Sequence, residues 1–156
     1  MGHAMFYHLT RSSSDAMVQT LVPKALAQGW HVVIRSPLAE RLGQLDDLLW
    51  QQPEDGFLPH AIACGEASDA KQPVLLTTGQ SMPNGARYLI AMDGAEISPA
   101  EVEALERACL LFEDGDATAM THARALWKSL TDQGVTAQYW SEESGAWRMK
   151  LEKRAE

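Results

Sequence analysis

The chain is predicted to fold as a single α/β domain over residues 1–156, with a mostly parallel, twisted sheet and helices on both faces. Three observations carry this. Short β-branched or aromatic runs alternate with stretches whose apolar residues recur at three-and-four spacing. Glycine, proline and capping residues fall at the joints between them. The 156 residues, 46% hydrophobic and 22% charged, suit one hydrophobic core.

The first strand is "MFYHLT" (5–10), and the following "RSSSD" supplies an N-cap. A helix from Asp15 is marked by Met17, Val18, Leu21, Val22, Ala25 and Leu26, and Gly29 ends it in a left-handed cap. Pro23 falls in an interior turn and predicts either a kink or a late helical start, because proline lacks the N–H donor and crowds the preceding turn. "WHVVIRS" (30–36) reads as a buried strand. Pro37 suits the first turn of the next helix, whose apolar face is Leu38, Leu42, Leu45, Leu48 and Leu49, running on to Trp50 and stopped by Pro53. After the loop "PEDGFLPH" and the polar stretch "GEASDAKQ", "PVLLTTG" and "RYLIAMDG" are strands of one sheet, separated by a Pro-Asn-Gly turn.

"SPAEVEALERA" (98–108) carries the capping-box pattern of Ser98 and Glu101 with proline at the first helical position. "CLLF" (109–112) is a strand, "DATAMTHARALWKSLTDQG" (116–134) a helix closed by Gly134, and "VTAQYWS" (135–141) the last strand. From about residue 142 the chain reads as an exposed C-terminal tail running past the sheet.

Charge and composition narrow the function classes. Thirteen basic residues against 21 acidic ones leave a formal charge of −8, which opposes direct binding to a phosphate backbone. Residues 93–116 hold eight acids and one base, whereas 117–156 hold six bases and five acids, so an acidic partner is best received by the C-terminal quarter. No apolar run reaches the roughly 20 residues of a membrane span, and "MGHAMFYHLT" lacks the regions of a signal peptide. The expected location is the cytoplasm. Cys64 and Cys109 read as ordinary thiols there.

Catalytic and cofactor signatures are weak. The predicted architecture is Rossmann-like, yet "TRSSSDA" after the first strand has none of the glycines that let backbone N–H groups approach phosphate. His60 and Cys64, four apart, are a poor start to a zinc site. Neither cysteine has a nucleophile signature, and Asp46 and Asp47 are adjacent and point apart on a helix. No cofactor or metal is expected, and no catalysis. The alternative is a nucleotide-binding module or enzyme on the same scaffold, because fold alone does not fix function.

Two groups of side chains remain. Arg124, Trp127 and Lys128 stand at zero, three and four on one helix. They form either a core tryptophan beside solvated cations or an apolar slot with a basic rim, which would suit an acidic peptide ending in an aromatic residue and a free carboxylate. Trp50, Phe57, Leu58 and Pro59 cluster around a loop. They either plug the core or form an apolar patch that a partner covers.

"LDDLLWQQPEDGFLPH" (45–60) resembles the chi subunit of bacterial DNA polymerase III, through Leu45, Asp46, Leu49, Trp50, Phe57, Leu58, Pro59 and His60. The likeness extends through "FYHL", "GWHVVI" and "ARALWKSLTDQG". It implies a non-catalytic accessory subunit of the clamp loader that links the acidic, Phe-ended tail of single-stranded DNA-binding protein to the psi subunit, with a repair helicase as a further partner. On this resemblance Arg124, Trp127 and Phe112 serve the tail, and Trp50, Phe57, Leu58 and Pro59 serve psi. The family's aromatic is commonly Tyr where this chain has Trp127. A family Lys falls near Met120 or Thr121 and is missing, and Lys128 is the candidate replacement.

Overall fold

The computed structural model describes residues 2–51, 60–65 and 67–154. Eight strands form one sheet: β1 (His3–Leu9), β2 (Val32–Arg35), β3 (Ala61–Ile62), β4 (Val74–Thr77), β5 (Tyr88–Ala91), β6 (Arg107–Glu113), β7 (Thr136–Ser141) and β8 (Arg148–Lys153). Their spatial order is β3-β4-β2-β5-β6-β1-β7-β8. Every pairing is parallel except the antiparallel β7–β8 pair. Helices α1 (Ser14–Ala27), α2 (Ala39–Gln51), α3 (Pro99–Ala104) and α4 (Ala117–Asp132) cross between the strands.

Alternation along the strands assigns the helices to opposite faces. Met5, Tyr7 and Leu9 of β1, Val32 and Ile34 of β2, and Cys109 and Leu111 of β6 face one side, where they pack with Val18 and Val22 of α1 and Leu45 of α2. Ala4, Phe6, Val33, Ala108, Leu110 and Phe112 face the other side and pack with Val102 of α3 and Ala123, Leu126 and Leu130 of α4. A central parallel strand is therefore apolar at nearly every position, which is why these segments read as continuous runs and not as alternating ones. Each fully buried Leu, Ile or Phe contributes roughly 1.5–3 kcal/mol relative to exposure.

The helix ends follow side-chain chemistry. Ser13 caps α1 by accepting from the Ala16 N–H, and Asp116 caps α4 by accepting from the Ala119 N–H. Ser98 and Glu101 form the complete capping box of α3. Gly29 and Gly134, just past α1 and α4, have φ of 82° and 84°, the left-handed conformation that favours glycine.

Several boundaries depart from the sequence reading. α1 starts at Ser14 and continues through Pro23, so the late start is not adopted. Pro23 sits on the exposed side of the helix, where its ring meets solvent and no core residue. α3 is the short helix its stretch suggested, ending at Ala104, while β6 extends the predicted "CLLF" at both ends. β3 and the 3-10 turn at Ala67–Lys71 lie in a segment with no strand or helix signal.

The largest correction concerns the C-terminal segment, which does not run past the sheet. Glu142 is buried, and residues 148–153 return as β8, pairing with β7 with a register shift between Tyr139 and Trp140. Most β8 side chains are exposed. This explains why the strand carried no burial pattern to read.

Candidate functional site

The helix face predicted to carry function forms one wall of an apolar hollow of about 250 Å³. From α4 come Met120, Ala123, Arg124 and Trp127, which share one stripe because they stand at zero, three, four and seven. β1 supplies Phe6, β6 supplies Phe112, β7 supplies Tyr139 and β8 supplies Leu151. Phe112, Arg124 and Trp127, three of the predicted residues, are thus brought together.

Lys128 is not part of the lining. It is exposed and pairs with Asp132 at 2.8 Å, one turn along α4. That neighbour holds its pKa above the ordinary lysine value. Arg124, the other predicted cation, stands at the rim: it is exposed, and among the described residues its guanidinium makes no ion pair or side-chain hydrogen bond.

Trp127 stands between the core and the hollow. It is half-buried and meets Phe6 edge to face, with ring centroids 5.2 Å apart and planes at 71°. One side of the indole belongs to the core while the other lines the hollow. Phe112 is 5% exposed and forms the floor, with the His8 ring stacked on it at 5.0 Å. Tyr139 and His8 Nδ1 are 2.7 Å apart, and His8 Nε2 lies 3.0 Å from an Asp114 carboxylate oxygen. With Asp114 accepting from Nε2–H, Nδ1 accepts the hydrogen bond of the tyrosine hydroxyl. Burial, then the charge of Glu143, raises the Tyr139 pKa, partly countered by Arg124. The phenol therefore stays protonated. The chain Asp114–His8–Tyr139 fixes the wall without a bond from Arg124.

Phe6, Met120, Ala123, Tyr139 and Leu151 escaped the sequence reading. Met120 and Ala123 were recoverable from the α4 stripe. Phe6, Tyr139 and Leu151 were not, because strand order alone brings them to α4.

The other predicted surface lies at the opposite sheet edge. Trp50, at the end of α2, is 53% exposed, and Ile62 of β3 is 41% exposed. The Trp50 ring lies 4.4 Å from that of His60, whose Nε2 is 3.1 Å from an Asp46 carboxylate oxygen. Phe57, Leu58 and Pro59 lie outside the described residues. Seven inter-strand spacings separate β3 from β8, roughly 34 Å at the usual strand separation.

The turn after β1, where a phosphate would sit in a nucleotide-binding fold, is filled by the protein itself. The N–H groups of Arg11 and Ser12 and the Ser12 hydroxyl donate to the Glu142 carboxylate at 3.0, 2.8 and 2.8 Å. Burial alone would raise the Glu142 pKa, but these donors hold it below the ordinary glutamate range. His60 and Cys64 do not share a helical turn, since β3 lies between them, and Cys64 instead faces Asp69. Among the described residues no group of three or more His, Cys, Asp or Glu could hold a metal, and no helix is long and apolar enough to cross a membrane.

Residues 1–138 match the family model described as DNA polymerase III chi subunit, HolC. Among curated proteins no sequence matches the chain.

Proposed function

The chain belongs to the DNA polymerase III chi-subunit family, whose role is that of an accessory subunit in DNA replication, and from this premise we propose a non-catalytic adaptor with two docking surfaces. One is the α4 hollow, which takes the acidic, aromatic-ended tail of single-stranded DNA-binding protein. The other is the Trp50 face, which meets the psi subunit of the clamp loader.

The observation that carries the first assignment is an apolar hollow with an uncommitted guanidinium at its rim. A terminal aromatic ring is stabilised by leaving water for Phe6, Phe112 and Trp127. Its free carboxylate is stabilised by Arg124 through a charge-assisted hydrogen bond. Neither group alone would select a chain terminus, whereas the two together favour a peptide that ends in a ring and a carboxylate. A contact of this size binds at micromolar strength, roughly 8 kcal/mol.

Support for the second assignment is the exposure of Trp50 and Ile62 at the far edge of the sheet, since large exposed apolar side chains mark interaction surfaces when they cluster. Because the two surfaces sit at opposite edges, one partner does not obstruct the other. The nucleotide-binding alternative is disfavoured by Glu142, which occupies the N–H groups that a phosphate would need.

Calorimetric titration with an acidic peptide ending in phenylalanine tests the tail site. Arg124→Ala should weaken binding by about tenfold or more, as expected for a charged hydrogen bond of about 1.5–3 kcal/mol, with the loss largest at low salt. Unchanged affinity in an Arg124→Ala, Trp127→Ala double variant would move the site elsewhere.

A further inference from the structure

We propose that β8 forms part of the tail-docking surface: Leu151 is the outer wall of the hollow, and Lys153, on the same face, receives an acidic residue upstream of the terminal ring. The inference rests on the tail-binding reading above and adds a segment that lies beyond residue 138, where the family match ends.

The register decides which β8 side chains face the hollow. Leu151 pairs with Tyr139 and Lys153 with Ala137. Tyr139 and Ala137 belong to the α3–α4 side of the sheet, so Leu151 and Lys153 stand on that side. Met149 pairs with Trp140 after the register shift, and Trp140 packs in the α1–α2 core. Two exposed apolar residues on one short strand therefore face opposite ways. Leu151 is 56% exposed and lines the hollow. A leucine left this open on a wall shared with Phe6, Phe112 and Trp127 gains burial when a ring enters.

Charge gives the direction of the peptide. Asp114 and Glu143, which act on the Tyr139 hydroxyl, offset the cations at that end, Arg11 and Arg148, so that side of the hollow offers an acidic chain no net attraction. Lys128 is engaged by Asp132. Lys153 makes no salt bridge among the described residues and acts on Asp132 only weakly, after Lys128. Of the remaining β8 charges, Glu152 is held by Gln138 and Arg154. An acidic segment with its terminus at Arg124 is thus drawn toward Lys153, the end of the wall where the cation is not offset. Lysine on an edge strand also guards against edge-to-edge pairing, but that role does not require Leu151 in the hollow and predicts no effect on peptide affinity.

The test is calorimetric titration of the full chain with an acidic peptide ending in phenylalanine and a free carboxylate, comparing Leu151→Asp, Lys153→Glu and Met149→Asp. Leu151→Asp should weaken binding about tenfold or more, since it sets a carboxylate on an apolar wall. Lys153→Glu should weaken it about threefold at low salt, with the difference vanishing at high salt. Met149→Asp, on the same strand but the opposite face, should stay within about twofold of the unmodified chain. Equal losses in all three variants would show that the strand matters only as scaffold and overturn the inference. So would unchanged binding in Leu151→Asp and Lys153→Glu while Arg124→Ala loses affinity, an outcome that leaves the tail reading standing. No uptake of the peptide by the unmodified chain would sink both.

Discussion

Removal of the carboxylate at Glu101 should destabilise the protein by about 3 kcal/mol. Its partner Arg35 has a side chain only 3% exposed and donates to the Gly79, Glu96 and Gln80 carbonyls at 3.0, 2.9 and 3.1 Å. Its charge is balanced by a bidentate contact to Glu101 at 3.1 and 2.6 Å. Loss of one member of a buried pair strands the other charge, at a typical cost of about 3–5 kcal/mol. The lower end applies here because Glu101 keeps 16% side-chain exposure and three carbonyls remain on the guanidinium. Glu101→Ala also removes half of the α3 capping box. For a chain of this size, 3 kcal/mol lowers the melting temperature by about 6–12 °C. Urea unfolding followed by circular dichroism measures it. A cost below about 1 kcal/mol would refute the reasoning, because the pair would then behave like a solvated surface bridge. The sign of the pH dependence provides a second check. Burial alone would raise the Glu101 pKa, but hydrogen bonds from Arg35 and the Ser98 N–H outweigh it and hold the pKa below the glutamate range. Its contribution is therefore complete above the unfolded value, about 4.3, and is lost as pH falls through the lower folded value. The gap between the unmodified chain and Glu101→Gln should narrow over that acidic window.

Cys109 is fully buried, its pKa pushed up to about 12 by burial, while Cys64 is exposed; a thiol reagent should label Cys64 in the folded protein and reach Cys109 only on unfolding. Met120→Lys, which adds a cation on the hollow one turn before Arg124, should strengthen acidic-peptide binding about two- to fivefold at low salt, the worth of a partly exposed ion pair, as read by titration across salt concentrations. Gly134→Ala should cost about 1 kcal/mol in urea unfolding, because its φ of 84° disfavours a Cβ although the space around it is open. Leu45→Ala, at a fully buried α2 position, should cost about 3 kcal/mol without altering peptide affinity.

The legible part of this protein is the part governed by local chemistry. Caps announced themselves at Ser98 and in the serine cluster that holds Ser13, chain reversals at Gly29 and Gly134, and the helical stripe placed Arg124 beside Trp127. These signals lie within a few residues of the structure they specify, so neither strand order nor packing was needed to read them. At Pro23 the sequence left a kink or a late start open, and only the structure shows that α1 begins at Ser14 and runs on through the proline. β3 was missed because two residues offer no periodicity.

By itself the sequence determined the alternation of strands and helices, the ends of its main helices and the family to which the chain belongs. Only the tertiary structure decided that Phe6, Phe112, Tyr139 and Leu151 enclose one hollow with Trp127, that Lys128 is spent on Asp132, and that Glu142 fills the turn after β1. The physical reason is that periodicity reports whether a side chain faces inward, whereas its neighbours are set by strand order. In this sheet β6, β1, β7 and β8 are adjacent although β1 and β8 come from opposite ends of the chain.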